Sequence, residues 1–460
     1  MREEEGEDGC GAVVRDCTAR APGKLMLCGE WCVMEVSLAE SSCIVLPVTR
    51  WLCCTARLTT PRHNSSAGAA VPVHLEMPDL WPARIELVWD PAALALAPAG
   101  PAPPPPPCAG LATSALQTAL CFCARRGCAP APGTALTVHV SSEISTCPSS
   151  ESSSSSSSSS INPTAAAVCK PGLGSSSAAA VAVVHAVLGA AGAPAAARTP
   201  AVLFRLAAVA LYAHPAHAGG SCFDVAAAAW QRPLYYRRFD PAWLRAQLDN
   251  AHAHAPPGAC DGGPAFADTV AALADGALCA WPRLEVRALP WGPGLRLAVC
   301  FSGRGASTPA LLAQMAAARA ASAAVDARAH AVLAAIAADV VAPAAALLAA
   351  QPLAAEAQDR LHALLVRNRA LLRELQAATG VEIETEALAA IADLGTAAPV
   401  AGTVHARAAA KLSGAGGGDC AVAVVTAADA RELDVAARAV TDAWAAAGYT
   451  PIPDIAVVQP

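Results

Sequence analysis

Apolar positions along the chain follow two different spacings. Residues 136–140, LTVHV, alternate between apolar and polar, as in a half-buried strand with Leu136, Val138 and Val140 on one face. Further strand-like runs stand at 24–27, 43–48, 234–239, 284–289, 295–301 and 419–425. The runs between them are longer and rich in alanine and leucine, which predicts an alternation of strands and helices.

Helices are expected to make up much of the chain, because hydrophobic residues are 55% of the sequence and many of them are alanine. Alanine is the best helix former but contributes little apolar area, so the contacts of each helix should be modest. The predicted helices cover 111–125, 175–187, 200–212, 224–230, much of 309–378, and 427–446.

Domain organisation follows from the length and from one biased segment. A chain of 460 residues should form about two or three packed units. Residues 152–160 are nine consecutive serines, which cannot bury enough apolar surface to offset the entropy of ordering, so a disordered insertion is predicted at 145–162. The predicted ranges are a flexible N-terminus at 1–18, a first domain at 19–250 containing the insertion, a linker or insertion at 251–282, and a second domain at 283–460.

Charge, the length of apolar runs and the N-terminal residues argue against several classes of partner and location. The net charge is −6 and no basic block occurs, so nucleic acid is not an expected partner. No run of 18 or more strongly apolar residues lacks a polar interruption, so no membrane span is expected. The acidic start, MREEE, argues against a secretory or mitochondrial signal, and a cytoplasmic location is expected. Import into an organelle such as a peroxisome or glycosome stays open.

The 18 cysteines do not have the spacing of a zinc site or of a disulfide framework. Cys53 and Cys54 are adjacent, and Cys121, Cys123 and Cys128 lack a matching second half such as CxxC or HxxxH. Small buried thiols in a reducing compartment are the favoured interpretation.

A glycine-serine segment at 171–177, PGLGSSS, is the strongest candidate for chemistry. Gly172 and Gly174 allow the backbone to approach a ligand closely, and the helix predicted from Ser175 directs its free N–H groups and its dipole to the same place. One exposed helix terminus stabilises an anion by only about 0.3–1 kcal/mol, so a triphosphate would need hydroxyls, a metal ion and lysines as well. The segment lacks the Gly-Lys-Ser/Thr ending of a Walker loop, and by itself it is equally typical of a helix start after a glycine turn.

Three further segments favour an anion site over an ordinary helix start, because they occur with the glycine-serine segment in a particular order. They are 21–30 (APGKLMLCGE), 219–226 (GGSCFDVA) and 413–419 (SGAGGGD). Each has an ordinary structural explanation: a solvated lysine at Lys24, a capping box of Ser221 and Asp224, and a flexible linker at 413–419.

Taken together, the four segments resemble the motifs of the GHMP kinase superfamily, which are P-G-K…G-E, G-L-G-S-S-A and G-A-G-G-G in that order. The resemblance extends from Arg20 to Val425. It implies a two-domain α+β and α/β fold, with a left-handed β-α-β unit in the N-terminal domain and a ferredoxin-like α+β C-terminal domain. It also implies a kinase that uses ATP and Mg²⁺.

Within the superfamily the details are most similar to phosphomevalonate kinases. The segments that carry this similarity are Lys170 ahead of the glycine loop, 220–228 (GSCFDVAAA), 236–239 (YRRF), 305–308 (GAST) and 413–420 (SGAGGGDC). The H-G-x-P-S-G-x-D pattern of mevalonate kinases is absent. Departures from the family pattern are Cys222 in place of glycine, the third serine at Ser177, and the serine insertion. Cysteine is small enough for the turn at 222 unless that position requires a positive φ.

The resemblance implies transfer of the ATP γ-phosphoryl group to (R)-5-phosphomevalonate, giving 5-diphosphomevalonate and ADP. Lys24, Lys170 and Asp224 would be the catalytic residues, and Ser175 with Asp224 would hold the metal. The residues implied for nucleotide binding are Gly172, Leu173, Gly174, Ser175, Ser176 and Ser177. The residues implied for acceptor binding are Ser221, Ser307, Thr308, Ser413, Gly414, Ala415 and Gly416.

Other assignments remain open from the sequence. Asp419 is expected to fix its loop, while Arg237 and Arg238 are either substrate contacts or solvated strand residues. A mevalonate kinase, a diphosphomevalonate decarboxylase and a non-catalytic sensor are the alternative functions. The chain is expected to be a monomer or a homodimer.

Overall fold

The computed structural model describes residues 13–60, 70–79, 81–100, 107–144, 171–215, 219–253, 262–276, 280–398, 406–427 and 429–459. The predicted serine insertion and Lys170 lie outside these ranges. The strands are β1 (Val13–Cys28), β2 (Ser42–Thr60), β3 (Val71–Met77), β4 (Trp81–Asp90), β5 (Ala95–Pro98), β6 (Ala135–Ser142), β7 (Leu234–Arg237), β8 (Glu285–Ala288), β9 (Leu295–Phe301), β10 (Arg407–Leu412), β11 (Cys420–Thr426) and β12 (Thr450–Pro451).

The helices agree with the sequence prediction more closely than the strands do. They are α1 (Pro107–Arg125), α2 (Ser175–Ala190), α3 (Pro200–Ala213), α4 (Phe223–Trp230), α5 (Pro241–Ala253), α6 (Pro264–Asp275), α7 (Thr308–Ala321), α8 (Ala323–Ala335), α9 (Ala342–Ala349), α10 (Ala355–Thr379), α11 (Glu386–Ala397) and α12 (Ala430–Ala446). A π-helical segment, Ile336–Val341, joins α8 to α9. The last helix starts at Ala430 rather than at 427, because Asp429 caps it by accepting hydrogen bonds from Arg431 N and Glu432 N.

The first sheet has eight strands in the order β5-β4-β3-β6-β2-β7-β8, with β1 paired to β2. The β3–β6 pair is parallel and the other pairings are antiparallel. Because β1 and β2 are 16 and 19 residues long, they extend far beyond the short runs predicted at 24–27 and 43–48. The pairing register of β1 with β2 shifts between Pro22 and Gly23, immediately before Lys24.

Helix α2 is the central helix of the first unit. Twelve of its sixteen residues are buried, most of them alanine or valine. It packs against β1, β2, α1 and α3. Small side chains let the helix lie close to the sheet, so its N-terminus is held rigidly at the sheet edge that carries Lys24.

The second sheet is antiparallel, with the order β10-β11-β9-β12. In chain order its strands are β9, then helices α7 to α11, then β10 and β11, then α12, then β12. This is the split β-α-β arrangement of ferredoxin-like domains, with several helices in the first crossover. The predicted ferredoxin-like second unit and the mixed α+β fold class are therefore confirmed.

Two of the predicted domain limits differ from the observed pairing. The predicted flexible N-terminus at 1–18 overlaps β1, whose pairing with β2 begins at Val13. The predicted second domain begins at 283, yet β8 pairs with β7 in the first sheet. Helix α6, in the predicted linker, packs against α1, α3 and α5. The chain therefore passes into the second unit after Ala288, because backbone pairing with β7 is a long-range contact that local composition does not reveal.

Among the described residues one continuous helical stretch, Ala323–Ala349, is long and apolar enough to cross a membrane by length and composition. The sequence had predicted none. Half of its most apolar window is buried inside the protein, as in the core helix of a globular domain, and one such helix is weak evidence for a span. Of the twelve cysteines whose side chains the structure describes, nine are buried and none forms a disulfide, in agreement with the predicted buried thiols.

Candidate active site

The glycine-serine segment forms a turn that leads directly into α2. Gly174 is the N-cap residue of the helix with φ 81°, and no described side chain caps the first turn. The first hydrogen bond of the helix runs from Ala178 N to Gly174 O at 3.1 Å, which leaves the N–H groups of the serines ahead of it directed out of the helix. Uncapped donors at a helix N-terminus are the arrangement that an anion requires.

Both glycines of this turn are required by close contacts. Gly172 has φ 70°, and a Cβ atom there would overlap the carboxylate of Asp419. A Cβ at Gly174 would lie 2.9 Å from Cγ of Lys24. The turn is therefore packed between an early lysine and a late aspartate that are far apart in sequence.

Lys24 is the residue at which the predicted segments meet. Its Nζ donates to Gly172 O at 2.8 Å, and its backbone N donates to Leu173 O at 2.8 Å. Nζ also lies 5.3 Å from the centre of the Phe223 ring. The side chain is only 8% exposed, so the alternative of a solvated surface lysine is wrong.

Helix α4 brings its N-terminus to the same place. Asp224 lies in its first turn, half-buried, and its Oδ1 accepts from Val225 N at 3.0 Å. A Cβ at Gly174 would lie 3.6 Å from Cβ of Asp224, so the Asp224 side chain borders the glycine turn. The N-cap residue is Cys222 and it makes no side-chain cap bond, so the capping-box alternative for Ser221 and Asp224 is not realised.

Cys222 adopts φ 60° and ψ 16°, the left-handed conformation that glycine tolerates best. The position does require a positive φ, which was the condition under which cysteine would be a poor fit. A left-handed conformation costs a side-chain-bearing residue about 1–2 kcal/mol. A glycine at position 222, as in the family pattern, would avoid this cost.

Cys222→Gly should therefore leave the free energy of unfolding within about 1 kcal/mol of the parent, because relief of the left-handed strain offsets the lost burial and the extra chain entropy. Cys222→Val should cost about 2 kcal/mol or more, because a branched side chain adds crowding to the same strain. Urea unfolding of the two variants measures the difference. Equal losses in both would show that φ at this position does not matter.

The late glycine loop packs onto the first one. Asp419 Oδ1 accepts from Ala306 N at 2.9 Å while its carboxylate lies against Gly172. Burial raises the pKa of Asp419, and the nearby charge of Lys24 opposes that shift. Cys420 Sγ donates to Pro171 O at 3.0 Å. Asp419 thus holds the two loops together, as expected for a residue that fixes loop conformation.

The remaining predicted acceptor residues have different surroundings. Ser413 is buried, and its Oγ accepts from Met26 N at 2.8 Å, so this hydroxyl joins the two units. Gly414 lies close to Lys24, with 3.7 Å between its notional Cβ and Nζ, whereas a Cβ on Gly416 would overlap the Ile383 carbonyl. Ligand contacts from these residues stay predictions.

Ser307 and Thr308 are exposed at the start of α7. Ser307 Oγ accepts from Ala310 N at 3.4 Å as the helix cap. The residue before them, Ala306, is the one held by Asp419, so the pair lies next to the late glycine loop. Ser177, by contrast, is buried in α2 at 2% exposure, while Ser175 and Ser176 are partly exposed.

One buried cluster was not predicted. Glu30 and Lys411, which are 0% and 1% exposed, form an ion pair, and Asn368 Nδ2 donates to the other oxygen of Glu30 at 2.8 Å. Trp31 Nε1 donates to Ala415 O at 3.1 Å beside it. The end of the first motif is therefore fastened to the late glycine loop.

Lysine usage is a sequence signal that could have revealed this cluster. The chain contains 28 arginines but only three lysines, at Lys24, Lys170 and Lys411. Two of them are in the predicted catalytic set, and the third is the buried partner of Glu30. Lysine carries a compact ammonium where arginine carries a planar guanidinium, so the three lysines stand out in this sequence as positions for a compact cation.

Comparison with known proteins shows which solved structures share this fold. No protein-family model and no curated protein matches the chain. Among solved structures, a Listeria innocua protein is similar with a TM-score of 0.66 at 20% identity, covering 97% of this chain and 100% of that one. Streptococcus pneumoniae phosphomevalonate kinase in complex with phosphomevalonate and AMPPNP is similar with a TM-score of 0.65 at 17% identity, covering 96% and 100%.

A third similar structure is L. major mevalonate kinase in complex with R-mevalonate, with a TM-score of 0.53 at 17% identity, covering 96% of each chain. At identities this low, the structural similarity shows a shared fold, and the chemistry has to be argued from the residues of the site itself. The two-sheet architecture, the ordered motifs and these neighbours agree: the chain has the fold of the GHMP kinases.

Proposed function

We propose that the chain is an ATP-dependent kinase of the GHMP superfamily whose acceptor is (R)-5-phosphomevalonate. The observation that carries the proposal is the meeting of three features at one glycine turn: the buried ammonium of Lys24, the uncapped N-terminus of α2, and the carboxylate of Asp224. A phosphoryl-transfer site needs a cation, free backbone N–H donors and an acidic group that can hold a metal ion, all close together.

The nucleotide phosphates would lie against the turn at Gly172–Gly174 and the first turn of α2. Free N–H groups there and the hydroxyls of Ser175 and Ser176 would hold the phosphate oxygens. AMPPNP, an ATP analogue, is the nucleotide present in the similar Streptococcus pneumoniae structure. Lys170 enters the same proposal as a second cation, because it immediately precedes the turn in sequence.

Mg²⁺ fits the donor set on this turn. The described residues contain no group of three or more His, Cys, Asp or Glu suited to a metal, and Mg²⁺ usually binds through one or two carboxylates together with substrate phosphates. Asp224 and Ser175 would supply the protein oxygens. When bound, the ion neutralises negative charge on the β- and γ-phosphates.

The reaction would transfer phosphate to phosphate. An oxygen of the acceptor phosphate attacks the γ-phosphorus, the bond from that phosphorus to the bridging oxygen breaks, and ADP leaves with the electron pair. The attacking oxygen is largely ionised at neutral pH, so a strong base is unnecessary. Repulsion between two anions is the obstacle, and the charge of Lys24 in a shielded site reduces it.

We assign phosphomevalonate rather than mevalonate as the acceptor because of the segment around Asp224, residues 220–228. This segment, GSCFDVAAA, is similar to that of phosphomevalonate kinases, and the mevalonate kinase pattern is absent. An alcohol acceptor would also need a base placed on its hydroxyl.

The test is a coupled ADP-release assay on the purified protein with four acceptors: phosphomevalonate, mevalonate, homoserine and galactose. Phosphomevalonate should give the highest kcat/KM, and removal of Mg²⁺ with EDTA should abolish turnover. Turnover of mevalonate without turnover of phosphomevalonate would contradict the proposed acceptor. Mg-ATP binding without turnover of any of the four would support a sensor instead.

A further inference from the structure

Two neighbouring arginines, Arg237 and Arg238, have opposite environments. Arg237 is partly exposed and pairs with two carboxylates, Glu285 at 3.1 Å and Glu40 at 3.6 Å. Arg238 is only 4% exposed, and its hydrogen-bond acceptors are all neutral oxygens. Among the residues that the structure describes, no carboxylate pairs with it, and its buried Nε has no partner.

The acceptors of Arg238 lie behind the turn that leads into α4. Its Nη2 donates to Gly219 O at 2.7 Å, to Gly220 O at 3.1 Å and to the hydroxyl of Tyr212 at 3.2 Å. Its Nη1 donates to Met34 O at 3.2 Å in the segment between β1 and β2. The guanidinium therefore joins this turn to the segment that follows the first motif.

Two tyrosines complete the support of this turn. Tyr212 Oη donates to Gly220 O at 2.8 Å, and Tyr236 Oη donates to Ser221 O at 2.6 Å. Burial raises the pKa of Tyr212 to about 12, so its hydroxyl keeps the proton it donates. Three successive carbonyls are thus all held by side-chain donors: Arg238 and Tyr212 hold those of Gly219 and Gly220, and Tyr236 holds that of Ser221.

The orientation of these carbonyls sets the orientation of the N–H groups. In a trans peptide the N–H points opposite to the C=O, and the peptides of this turn are trans. The N–H groups of Gly220, Ser221 and Cys222 therefore point away from the side-chain donors that hold the neighbouring carbonyls. The described residues provide no acceptor for them, although Ser221 and Cys222 are only 5% and 2% exposed. Backbone N–H groups in folded proteins nearly always have an acceptor, so these three are candidates for binding an anion.

A buried charge without a counter-ion is costly, and carbonyls alone could be held by neutral donors. The charge is therefore expected to have an electrostatic use. A cation directly behind a row of outward N–H groups makes that row more attractive to an anion, as in backbone anion sites.

We infer that Arg238 is a positioning residue for the acceptor: it holds the 219–222 turn with its N–H groups outward and adds the positive charge that favours an anionic group of the acceptor there. This inference rests on the proposed function, because it assigns one part of the same site to the acceptor rather than to ATP.

The experiment compares Arg238→Met, Arg238→Lys and the matched control Arg237→Met in steady-state kinetics with the acceptor that the parent uses. Arg238→Met should lower kcat/KM for the acceptor about 10- to 100-fold, the range expected when a support of the reacting groups is lost. The KM for ATP should change less than threefold. Arg238→Lys should recover part of the loss, and Arg237→Met should remain within threefold of the parent.

A merely structural role would give a different pattern. Equal losses for ATP and acceptor, or no difference between Arg238→Met and Arg237→Met, would overturn the inference. If Arg238→Met does not fold, Arg238→Lys and rescue of Arg238→Ala by added methylguanidine serve instead, and absence of any acceptor-specific defect in both overturns it.

Failure of the proposed function is recognised separately in the parent itself, which would then turn over another acceptor in place of phosphomevalonate, or none of the four. In that case, amide hydrogen exchange at 219–224 tests the inference directly. Exchange there should be faster in Arg238→Met than in Arg237→Met, and binding of inorganic phosphate to the parent should slow it. Unchanged exchange in both measurements would refute the role.

Discussion

Lys24→Met should lower kcat/KM about 100- to 1,000-fold, the range observed when one preorganised group that stabilises transition-state charge is removed. The ammonium lies against Gly172 O at the glycine turn, where two anions would have to approach each other. The fold should persist, because the methionine retains most of the apolar stem. Steady-state kinetics with the preferred acceptor and thermal unfolding measure the two effects.

Arginine should not replace this lysine. Lys24 Cγ lies so near Gly174 that even a Cβ there would be 2.9 Å away, and a planar guanidinium needs more room than an ammonium. Lys24→Arg should therefore lose at least 10-fold in kcat/KM. The control is Arg20→Met on the same strand, an exposed arginine stacked 4.3 Å from the Trp51 ring, which should change little. A Lys24→Met variant as active as this control would remove Lys24 from the site.

Breaking the buried pair between Glu30 and Lys411 should produce the largest loss of stability. Removal of one partner of a buried ion pair typically costs about 3–5 kcal/mol, since the other charge is left without compensation. Lys411→Met and Glu30→Gln should each lower the urea midpoint accordingly. The double variant Glu30→Met with Lys411→Met should recover a large part of the loss, because no buried charge then remains.

The exposed pair of Asp16 and Arg57, 3.0 Å apart on β1 and β2, is the control. Its removal should cost less than about 1 kcal/mol, as for most surface pairs. Single Glu30 or Lys411 variants that cost no more than this pair, or a double variant worse than both singles, would contradict the assignment. Activity should fall with the single variants as well, since Lys411 stands two residues before the loop at 413–419.

Most of the helices and the ordered motifs were predictable from the sequence because their signals are local, although α5, α6 and α11 were not predicted. Apolar spacing and alanine content placed α2 and α3 within a few residues. The anion-binding potential of the glycine segments could be inferred without tertiary information, since backbone freedom and helix donors are properties of a few adjacent residues. The same motifs suggested a fold that the two sheets and the similar structures confirm.

Strand partners and side-chain environments depended on the tertiary structure. β8 was predicted as a strand, but its pairing with β7 rather than with the second sheet is a long-range contact. Lys24 looked like an ordinary surface lysine in isolation, and burial against Gly172 is what makes it exceptional. The requirement for positive φ at Cys222 likewise follows from how α4 is entered.

The two arginines of the YRRF segment show where the boundary between sequence and structure lies. The sequence by itself determined that two adjacent cations lie in the strand predicted at 234–239 and that GHMP-like motifs surround them. Strand geometry then sends successive side chains to opposite faces, so one arginine reaches two carboxylates and the other reaches buried carbonyls. Which face is the interior depends on packing between segments far apart in the chain, and only the tertiary structure decided that.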